Sequence, residues 1–247
     1  LLPFEPAAHV RLGGPPCTYV GHPLIERGAW IESLQPQALA SRLGLPPDQP
    51  VLVVLPGSRR SEIGRLMPPF GETVELLRRQ LPPFQILMPT VASARSLVEE
   101  LSAAWTVRPI LLEGDADKFA AFKLANAALA ASGTVTLELA IAATPAVVAY
   151  RVDGLARHLR FLVKVPSIVL ANLVLGENVY PELIQEDCTG VNLAAALRPL
   201  MAATPERARQ KDALRRVAAE MALPSGTPSD QAAAIVLQHA RDGRRPA

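Results

Sequence analysis

Short apolar runs and segments of helical spacing alternate along the chain, and this alternation predicts its architecture. Residues 51–55 are continuously apolar, as in strands that are buried on both faces of a parallel sheet. Strands are predicted at 17–20, 51–55, 85–88, 107–112, 127–131 and 146–150. Helices are predicted at 36–44, 69–80, 93–102, 117–124, 191–201, 205–221 and 229–241. The pattern is typical of a Rossmann-like α/β fold, in which helices flank a doubly wound parallel sheet, here with a helical carboxyl terminus.

The stretch from Leu124 to Tyr150 is rich in alanine, and Glu138 is its one charged side chain. It predicts a strand, a turn at Ser132-Gly133-Thr134, a helix and a second strand. Backbone N–H groups in such a turn, with the positive end of the following helix, form an anion site at the carboxyl edge of the sheet. Ligands of open α/β sheets bind along that edge, so we expect a phosphate-containing ligand here.

Glu138 makes the predicted ligand more specific. A carboxylate among apolar residues is costly to bury unless a donor hydrogen-bonds it. The sequence holds no Lys or Arg within one helical turn of Glu138. A nucleotide with its phosphates on the turn would carry its ribose hydroxyls further along the helix, where the carboxylate could accept from them. In the alternative interpretation, Ser132 or Thr134 only caps the helix and Glu138 points to water.

A second polar loop follows the predicted strand at 51–55. Gly57 permits a sharp backbone turn, Ser58 offers a hydroxyl, and Arg59 offers a planar guanidinium suited to phosphate. The loop lacks the Gly-x-x-x-x-Gly-Lys-Ser/Thr pattern of a P-loop and the second glycine of a nucleophile elbow. Because parallel strands end at one edge of a sheet, the two loops support each other as parts of one site.

Composition narrows the classes of function. The chain has 247 residues and 49% hydrophobic positions, enough for one large α/β domain. A net charge of +2 does not indicate a general nucleic-acid-binding surface. Cys17 and Cys188 lie far apart, which suggests a reducing compartment and no disulfide framework. No signal peptide is evident, the histidines lack metal-ligand spacing, and Asp115-Ala116-Asp117 is interpreted as a helix start rather than a metal site.

Residues 154–164 have helical spacing with a divided surface. Arg157, Arg160 and Lys164 share one face, and leucines share the opposite face. A basic amphipathic helix of this kind can lie on an anionic membrane surface. The alternative is an ordinary surface helix whose last-turn cations complement the helix dipole.

Several blocks of residues match a known family in order and spacing. They are Pro3-Phe4-Glu5, Val20-Gly21-His22-Pro23, Leu55-Pro56-Gly57-Ser58-Arg59-x-Ser61-Glu62, Ala131-Ser132-Gly133-Thr134-x-Thr136-Leu137-Glu138, Val147-Val148-Ala149-Tyr150-Arg151, Lys164-Val165-Pro166, Asn172-Leu173 and Pro181-Glu182-Leu183-x-Gln185. The set covers nearly the whole chain and resembles lipid-A-disaccharide synthase, a family of inverting GT-B glycosyltransferases of lipopolysaccharide biosynthesis. The resemblance implies the carboxy-terminal half of a GT-B fold.

The resemblance also implies a reaction. UDP-2,3-diacylglucosamine would react with 2,3-diacylglucosamine 1-phosphate to give the β-1,6-linked lipid A disaccharide 1-phosphate and UDP, without a cofactor or metal. It implies that the donor diphosphate is bound by Ser58, Arg59, Ser132, Gly133 and Thr134, and the ribose by Glu138. Supporting roles are implied for Glu62, which would orient Arg59, for Arg151 beside the base, for Asn172 facing the donor cleft, and for Gln185 as a ligand contact or a cap.

The family pattern also predicts a domain organisation. Residues 1–22 are expected to be the tail of an amino-terminal domain with a linker, 23–202 the donor-binding domain, and 203–247 carboxy-terminal helices. The sequence opens on Leu1, and the resemblance implies that an amino-terminal domain, which would carry the acceptor site and the general base, is missing from it. We expect the isolated chain to bind UDP and to turn over negligibly. A helix terminus or a charged hydrogen bond stabilises a departing UDP by only about 0.3–3 kcal/mol, and neither can position the acceptor hydroxyl or take its proton.

Acylated substrates imply a cytoplasmic enzyme that is peripheral on the inner membrane of a Gram-negative bacterium. A homodimer is left open, and nucleic acid is not expected as a partner. Two other functions stay open on the sequence. One is a different UDP-sugar enzyme of GT-B type, such as a non-hydrolysing 2-epimerase, which would share the phosphate loop and the ribose glutamate. The other is a non-catalytic module that binds nucleotide sugars or docks on a membrane.

Overall fold

A computed structural model of the chain describes residues 2–151, 166–241 and 243. Its strands form one parallel sheet in the order β3-β2-β1-β4-β5-β6. The strands are β1 (Val51–Leu55), β2 (Gln85–Pro89), β3 (Ile110–Leu112), β4 (Ala127–Ala131), β5 (Ala146–Tyr150) and β6 (Glu182–Ile184). This order is that of the doubly wound Rossmann-like sheet, so the predicted fold class is confirmed.

Helices precede, connect and follow the strands. Before β1 lie α1 (Glu5–Arg11), α2 (Pro23–Glu26), α3 (Gly28–Ser33) and α4 (Pro36–Arg42). Between β1 and β5 lie α5 (Arg60–Gln80), α6 (Arg95–Ser102), α7 (Asp115–Leu124) and α8 (Val135–Ile141). Later in the chain come α9 (Leu170–Leu175), α10 (Gly190–Leu197), α11 (Pro205–Glu220) and α12 (Pro228–Arg241). Short 3-10 helices occupy Ala92–Ala94, Gln185–Asp187 and Arg198–Met201.

The core consists of two apolar layers, one on each face of the sheet. Every residue of β1 and β4 is buried. Side chains alternate along β1, so that Val53 packs in one layer with the helices α7, α8 and α11, and Leu52 packs in the other with α5 and α10. Burial on both faces explains why these strands are continuous apolar runs. The sheet is thereby held rigidly, and the loops at its carboxyl edge start from fixed positions.

The helix α5 is longer than its sequence predicts, since it begins at Arg60 rather than at residue 69. The prediction began at the second proline of Pro68-Pro69 because proline lacks an amide donor and normally ends or kinks a helix. Ile63, Phe70 and Val74 are fully buried against the sheet. Packing of this apolar face outweighs the hydrogen bonds that the two prolines remove.

Other predictions differ from the structure outside the centre of the sheet. Residues 17–20 form no strand, because no sheet strand pairs with them. Residues 2–4 lead directly into the helix α1. The strand predicted at 107–112 is limited to Ile110–Leu112, and the half-buried edge strand Glu182–Ile184 was not predicted.

The predicted basic helix at 154–164 lies outside the described residues. Among the helices that the structure does describe, none combines the length and the apolar character needed to cross a membrane.

Candidate functional site

The order of the sheet reverses between β1 and β4. In open α/β sheets, ligands bind outside the carboxyl ends of the strands at such a switch point. A cavity of about 680 Å³ opens there, a size suited to a nucleotide-sized ligand. It is lined by Leu55, Gly57, Ser58, Arg59, Glu62, Pro89, Thr90, Val91, Ala92, Leu112, Glu113, Gly114, Asp115, Lys118, Ala131, Ser132, Gly133, Thr134, Val135 and Glu138. The structure thus brings the two predicted phosphate loops and Glu138 together at one cavity.

The loop after β4 presents backbone donors to this cavity. The amide of Ser132 donates to the carbonyl of Ala149 at 3.2 Å, whereas the N–H groups of Gly133, Thr134 and Val135 have no acceptor among the described residues. Gly133 has φ +152°, a backbone conformation that favours glycine. Three consecutive free amides at the start of α8 are suited to a bound anion.

Neither candidate cap of α8 acts as one. The hydroxyl of Ser132 donates to the carbonyl of Ile168 at 2.9 Å, and Thr134 makes no side-chain capping hydrogen bond. The alternative interpretation, in which these side chains only cap the helix, is therefore wrong. Ser132 instead ties the loop to the segment that leads into α9.

The loop after β1 brings a cation to the opposite wall of the cavity. Arg59 is exposed, and in the described part of the chain its guanidinium has no hydrogen bond or ion pair. Gly57 has φ +102°, and a Cβ built on it would lie 2.0 Å from Oε2 of Glu62. Glu62 thus folds over the glycine, and its amide donates to the carbonyl of Arg59 at 3.0 Å. The carboxylate of Glu62 does not bond the guanidinium, contrary to the orienting contact that was expected.

Glu138 lines the cavity with a side chain that is 17% exposed, but it is not without a protein partner. Nζ of Lys118, which lies in the first turn of α7, donates to Oε1 of Glu138 at 3.0 Å. The expectation that no cation lies near Glu138 is true along the sequence and wrong in space. Because Lys118 compensates the cost of burying this carboxylate, burial alone does not require a ligand hydroxyl. The ribose assignment depends instead on the place of Glu138 in the cavity.

Lys118 is the main residue that the sequence prediction missed. Its ammonium also forms an ion pair with Oδ1 of Asp115 at 3.1 Å. The pKa of Asp115 lies below its usual value, chiefly because Lys118 donates a hydrogen bond to the carboxylate and also because Arg27 does. The i, i+3 spacing of Asp115 and Lys118 after a predicted strand could have indicated this ion pair. It could not indicate that Lys118 also reaches Glu138.

Thr90 was also missed. Its hydroxyl Oγ1 is buried at the cavity wall, where β2 and β3 end, and it has no hydrogen-bond partner within the described ranges. The amide of Thr90 donates to the carbonyl of Leu112 at 2.9 Å, which fixes the side chain in place. A buried polar atom without a partner is unusual, and this one lies beside the part of the cavity that the ends of β2 and β3 line. No group of three or more His, Cys, Asp or Glu side chains in the described ranges is arranged to hold a metal ion.

Three predicted supporting residues lie away from the cavity lining. The side-chain amide of Asn172 is buried and donates to Asn178, to the carbonyl of Tyr180 and to Glu182, and its oxygen accepts from the amide of Tyr180. Asn172 therefore cross-links the segment between α9 and β6, and the expectation that it faces the donor cleft is wrong. Arg151 donates to the carbonyl of Cys188, and Gln185 begins a 3-10 helix with φ +54°.

Replacement of Asn172 by alanine is expected to destabilise the fold rather than to change ligand binding. The amide of Tyr180 and the carboxylate of Glu182 would lose a buried partner, at a cost of about 3 kcal/mol in the free energy of unfolding. Urea denaturation without ligand measures this cost. Asn192→Ala is the control, because Asn192 is exposed and, among the residues that the structure describes, its side chain donates only to the carbonyl of Asp187. Equal stability of the two variants would contradict the structural role.

Solved structures of other proteins share the fold of this chain. A glycosyltransferase involved in lipopolysaccharide biosynthesis is 18% identical, with a TM-score of 0.51 over 81% of this chain and 50% of that chain. The UDP-GlcNAc 2-epimerase of Neisseria meningitidis, solved with bound UDP-GlcNAc, is 14% identical, with a TM-score of 0.58 over 90% of this chain and 54% of that chain. At these identities the likeness concerns the fold alone. With the reversed strand order and its cavity, it defines the class: a Rossmann-like domain of the GT-B glycosyltransferase fold.

A sequence model of the lipid-A-disaccharide synthetase family matches residues 1–236. The chain belongs to this family. The lipid-A-disaccharide synthase of Rhodopseudomonas palustris strain HaA2 is 49% identical over 238 residues, which make up 96% of this chain and 60% of that protein. The family predicted from the sequence is thus confirmed, and the chain spans about 60% of the length of the curated relative that it matches.

Proposed function

We propose that this chain is the donor-binding part of a lipid-A-disaccharide synthase. The enzyme would join UDP-2,3-diacylglucosamine to 2,3-diacylglucosamine 1-phosphate, release UDP and invert the anomeric carbon. The observation that carries the proposal is the cavity at the switch point of the sheet, in a chain of this family. Backbone amides and a guanidinium that have no partner in the described part of the chain border that cavity together with a carboxylate.

The donor diphosphate is proposed to lie between the two loops. The amides of Gly133, Thr134 and Val135 face it from α8, and Arg59 and Ser58 face it from the loop after β1. In the transfer, the acceptor hydroxyl attacks the anomeric carbon, the bond to the diphosphate breaks, and UDP leaves with the electron pair. Donors that are already in place stabilise this developing negative charge without reorganisation. The proton of the acceptor hydroxyl passes to a base that we do not assign to the residues of this cavity.

The nucleoside is proposed to extend from the diphosphate toward the ends of β2 and β3. Glu138 lies one turn inside α8, where its carboxylate would accept hydrogen bonds from the ribose hydroxyls. Beyond it, Thr90 and Gly114 are among the residues that line the rest of the cavity. The nucleobase of UDP would thus lie near Thr90. It would not lie near Arg151, which is outside the cavity lining.

Both substrates of the proposed reaction carry acyl chains that partition into a bilayer. We therefore propose that the enzyme works at the cytoplasmic surface of the inner membrane as a peripheral protein. The chemistry of the substrates supports this placement, since apolar chains gain about 0.8 kcal/mol for each buried methylene group.

Titration calorimetry of the 247-residue chain with UDP tests the donor site. UDP is expected to bind with one site per chain, and Glu138→Gln is expected to weaken binding about tenfold, because an amide replaces a charged acceptor of the ribose hydroxyls. Glu220→Gln serves as the control, since Glu220 is an exposed carboxylate on α11. Absence of UDP binding by the unmodified chain at millimolar concentration would refute the proposed function.

A further inference from the structure

We propose, resting on the function proposed above, that Lys118 is a positioning residue for the ribose. It holds the carboxylate of Glu138 through Oε1 and leaves Oε2 to the hydroxyls of the nucleotide. Within the described residues, Oε2 has no hydrogen-bond partner. Lys118 and Glu138 both line the cavity, so a ligand that enters it meets the pair directly.

The ammonium of Lys118 is restrained on several sides. It lies 3.0 Å from Oε1 of Glu138 and 3.1 Å from Oδ1 of Asp115, and its Nζ is 4.9 Å from the ring centroid of Phe119. The lysine side chain is 21% exposed. A lysine that is surrounded in this way has given up most of its rotamer freedom before a ligand arrives, so binding does not bear that entropic cost.

The restraint continues behind Lys118. Arg27, in the segment between α2 and α3, forms an ion pair with Oδ2 of Asp115 at 2.9 Å. Its guanidinium lies 4.5 Å from the ring centroid of Trp30 and 5.0 Å from that of Phe119. Positive and negative groups therefore alternate from Arg27 to Glu138. The segment that precedes the first strand thus helps to fix a carboxylate that lines the cavity.

The ion pairs around Lys118 add little to the net stability of the fold. Ion pairs that remain partly exposed contribute only about 0–1 kcal/mol to folding. In contrast, a carboxylate beside a diphosphate meets strong like-charge repulsion unless a cation compensates it. Lys118 supplies that charge and also fixes the direction of the carboxylate. Hydroxyl groups of the ribose then find their acceptor already oriented.

The test compares UDP with 2′-deoxy-UDP by titration calorimetry on the 247-residue chain. Loss of the 2′-hydroxyl is expected to weaken binding to the unmodified chain about tenfold, since the oriented Glu138 loses one donor. In Lys118→Met this preference for UDP is expected to fall toward one, because the carboxylate is no longer oriented. Lys118→Arg, which keeps a cation within reach of Glu138, is expected to restore most of the preference.

Lys123→Met is the matched control, because it removes the same charge from the same helix. Lys123 donates to the carbonyls of Ile31, Glu32 and Leu34 and does not line the cavity. Its loss should leave the ratio of the two affinities unchanged.

Two results would overturn the positioning role. In one, Lys118→Met weakens UDP and 2′-deoxy-UDP by the same factor; in the other, it changes neither affinity. Lys118→Gln provides the same comparison if Lys118→Met does not fold. Failure of the unmodified chain to bind UDP would instead refute the proposed function, so the two failures are distinguishable.

Discussion

Replacement of Arg59 by methionine is expected to weaken UDP binding by about 10- to 100-fold, the value of a charge-assisted hydrogen bond to phosphate. Arg59 is exposed at the cavity, and no carboxylate in the described part of the chain pairs with its guanidinium. Its charge is therefore available to the diphosphate without the breaking of an ion pair. Uridine, which lacks phosphate, should bind the variant and the unmodified chain equally. Titration calorimetry with both ligands measures the difference.

Arg60→Met is the matched control for this prediction. Arg60 follows directly in the sequence and is also exposed, but it does not line the cavity. The substitution Arg60→Met removes one positive charge at nearly the same place on the surface. Any general effect of net charge therefore appears in both variants. A similar loss of UDP affinity in Arg59→Met and Arg60→Met would show that the guanidinium of Arg59 does not contact the diphosphate.

Gly133→Ala is expected to weaken UDP binding on the order of 100-fold, because the added methyl group occupies space that the phosphate needs beside the backbone amides. Apart from its chain neighbours, no atom of the described residues lies within 4 Å of the Cβ position of Gly133, and Gly133 lines the cavity, so we expect the methyl group to take up space there. The φ of +152° adds backbone strain of about 1–3 kcal/mol. The loss of affinity should thus come in addition to a loss of stability, which thermal unfolding without ligand measures.

Gly44→Ala is the control that measures the backbone strain of an alanine at positive φ without any effect on the cavity. Gly44 has φ +65° and no atom within 4 Å of its Cβ position, but it follows α4 and is not part of the cavity. The two alanine variants should lose similar stability, whereas only Gly133→Ala should lose UDP affinity. If Gly133→Ala bound UDP as tightly as Gly44→Ala does, the diphosphate could not lie against this turn.

Local signals were sufficient for the centre of the sheet and for the two loops that leave it. The strands β1, β4 and β5 match their predictions because each is a continuous apolar run that is buried on both faces. Gly57 and Gly133 marked sharp turns, since their positive φ angles are costly for other residues. Parallel strands end at a common edge, so the convergence of the two loops at one cavity also followed from the pattern.

Contacts between distant segments decided the remaining features. Lys118 and Glu138 lie on different helices, and no periodicity indicates that their side chains meet at 3.0 Å. Asn172 resembles a ligand contact in the sequence, but the folded chain surrounds it with four internal hydrogen bonds. The length of α5 likewise depends on the sheet against which it packs.

The sequence alone determines the parallel sheet, the two loops and the family, because burial on both faces of a strand and glycine turns are properties of neighbouring residues. The tertiary structure alone decides which charges pair and which polar groups remain available to a ligand. The physical reason is that electrostatic and hydrogen-bond energies depend on distances of a few ångströms, which sequence separation does not determine.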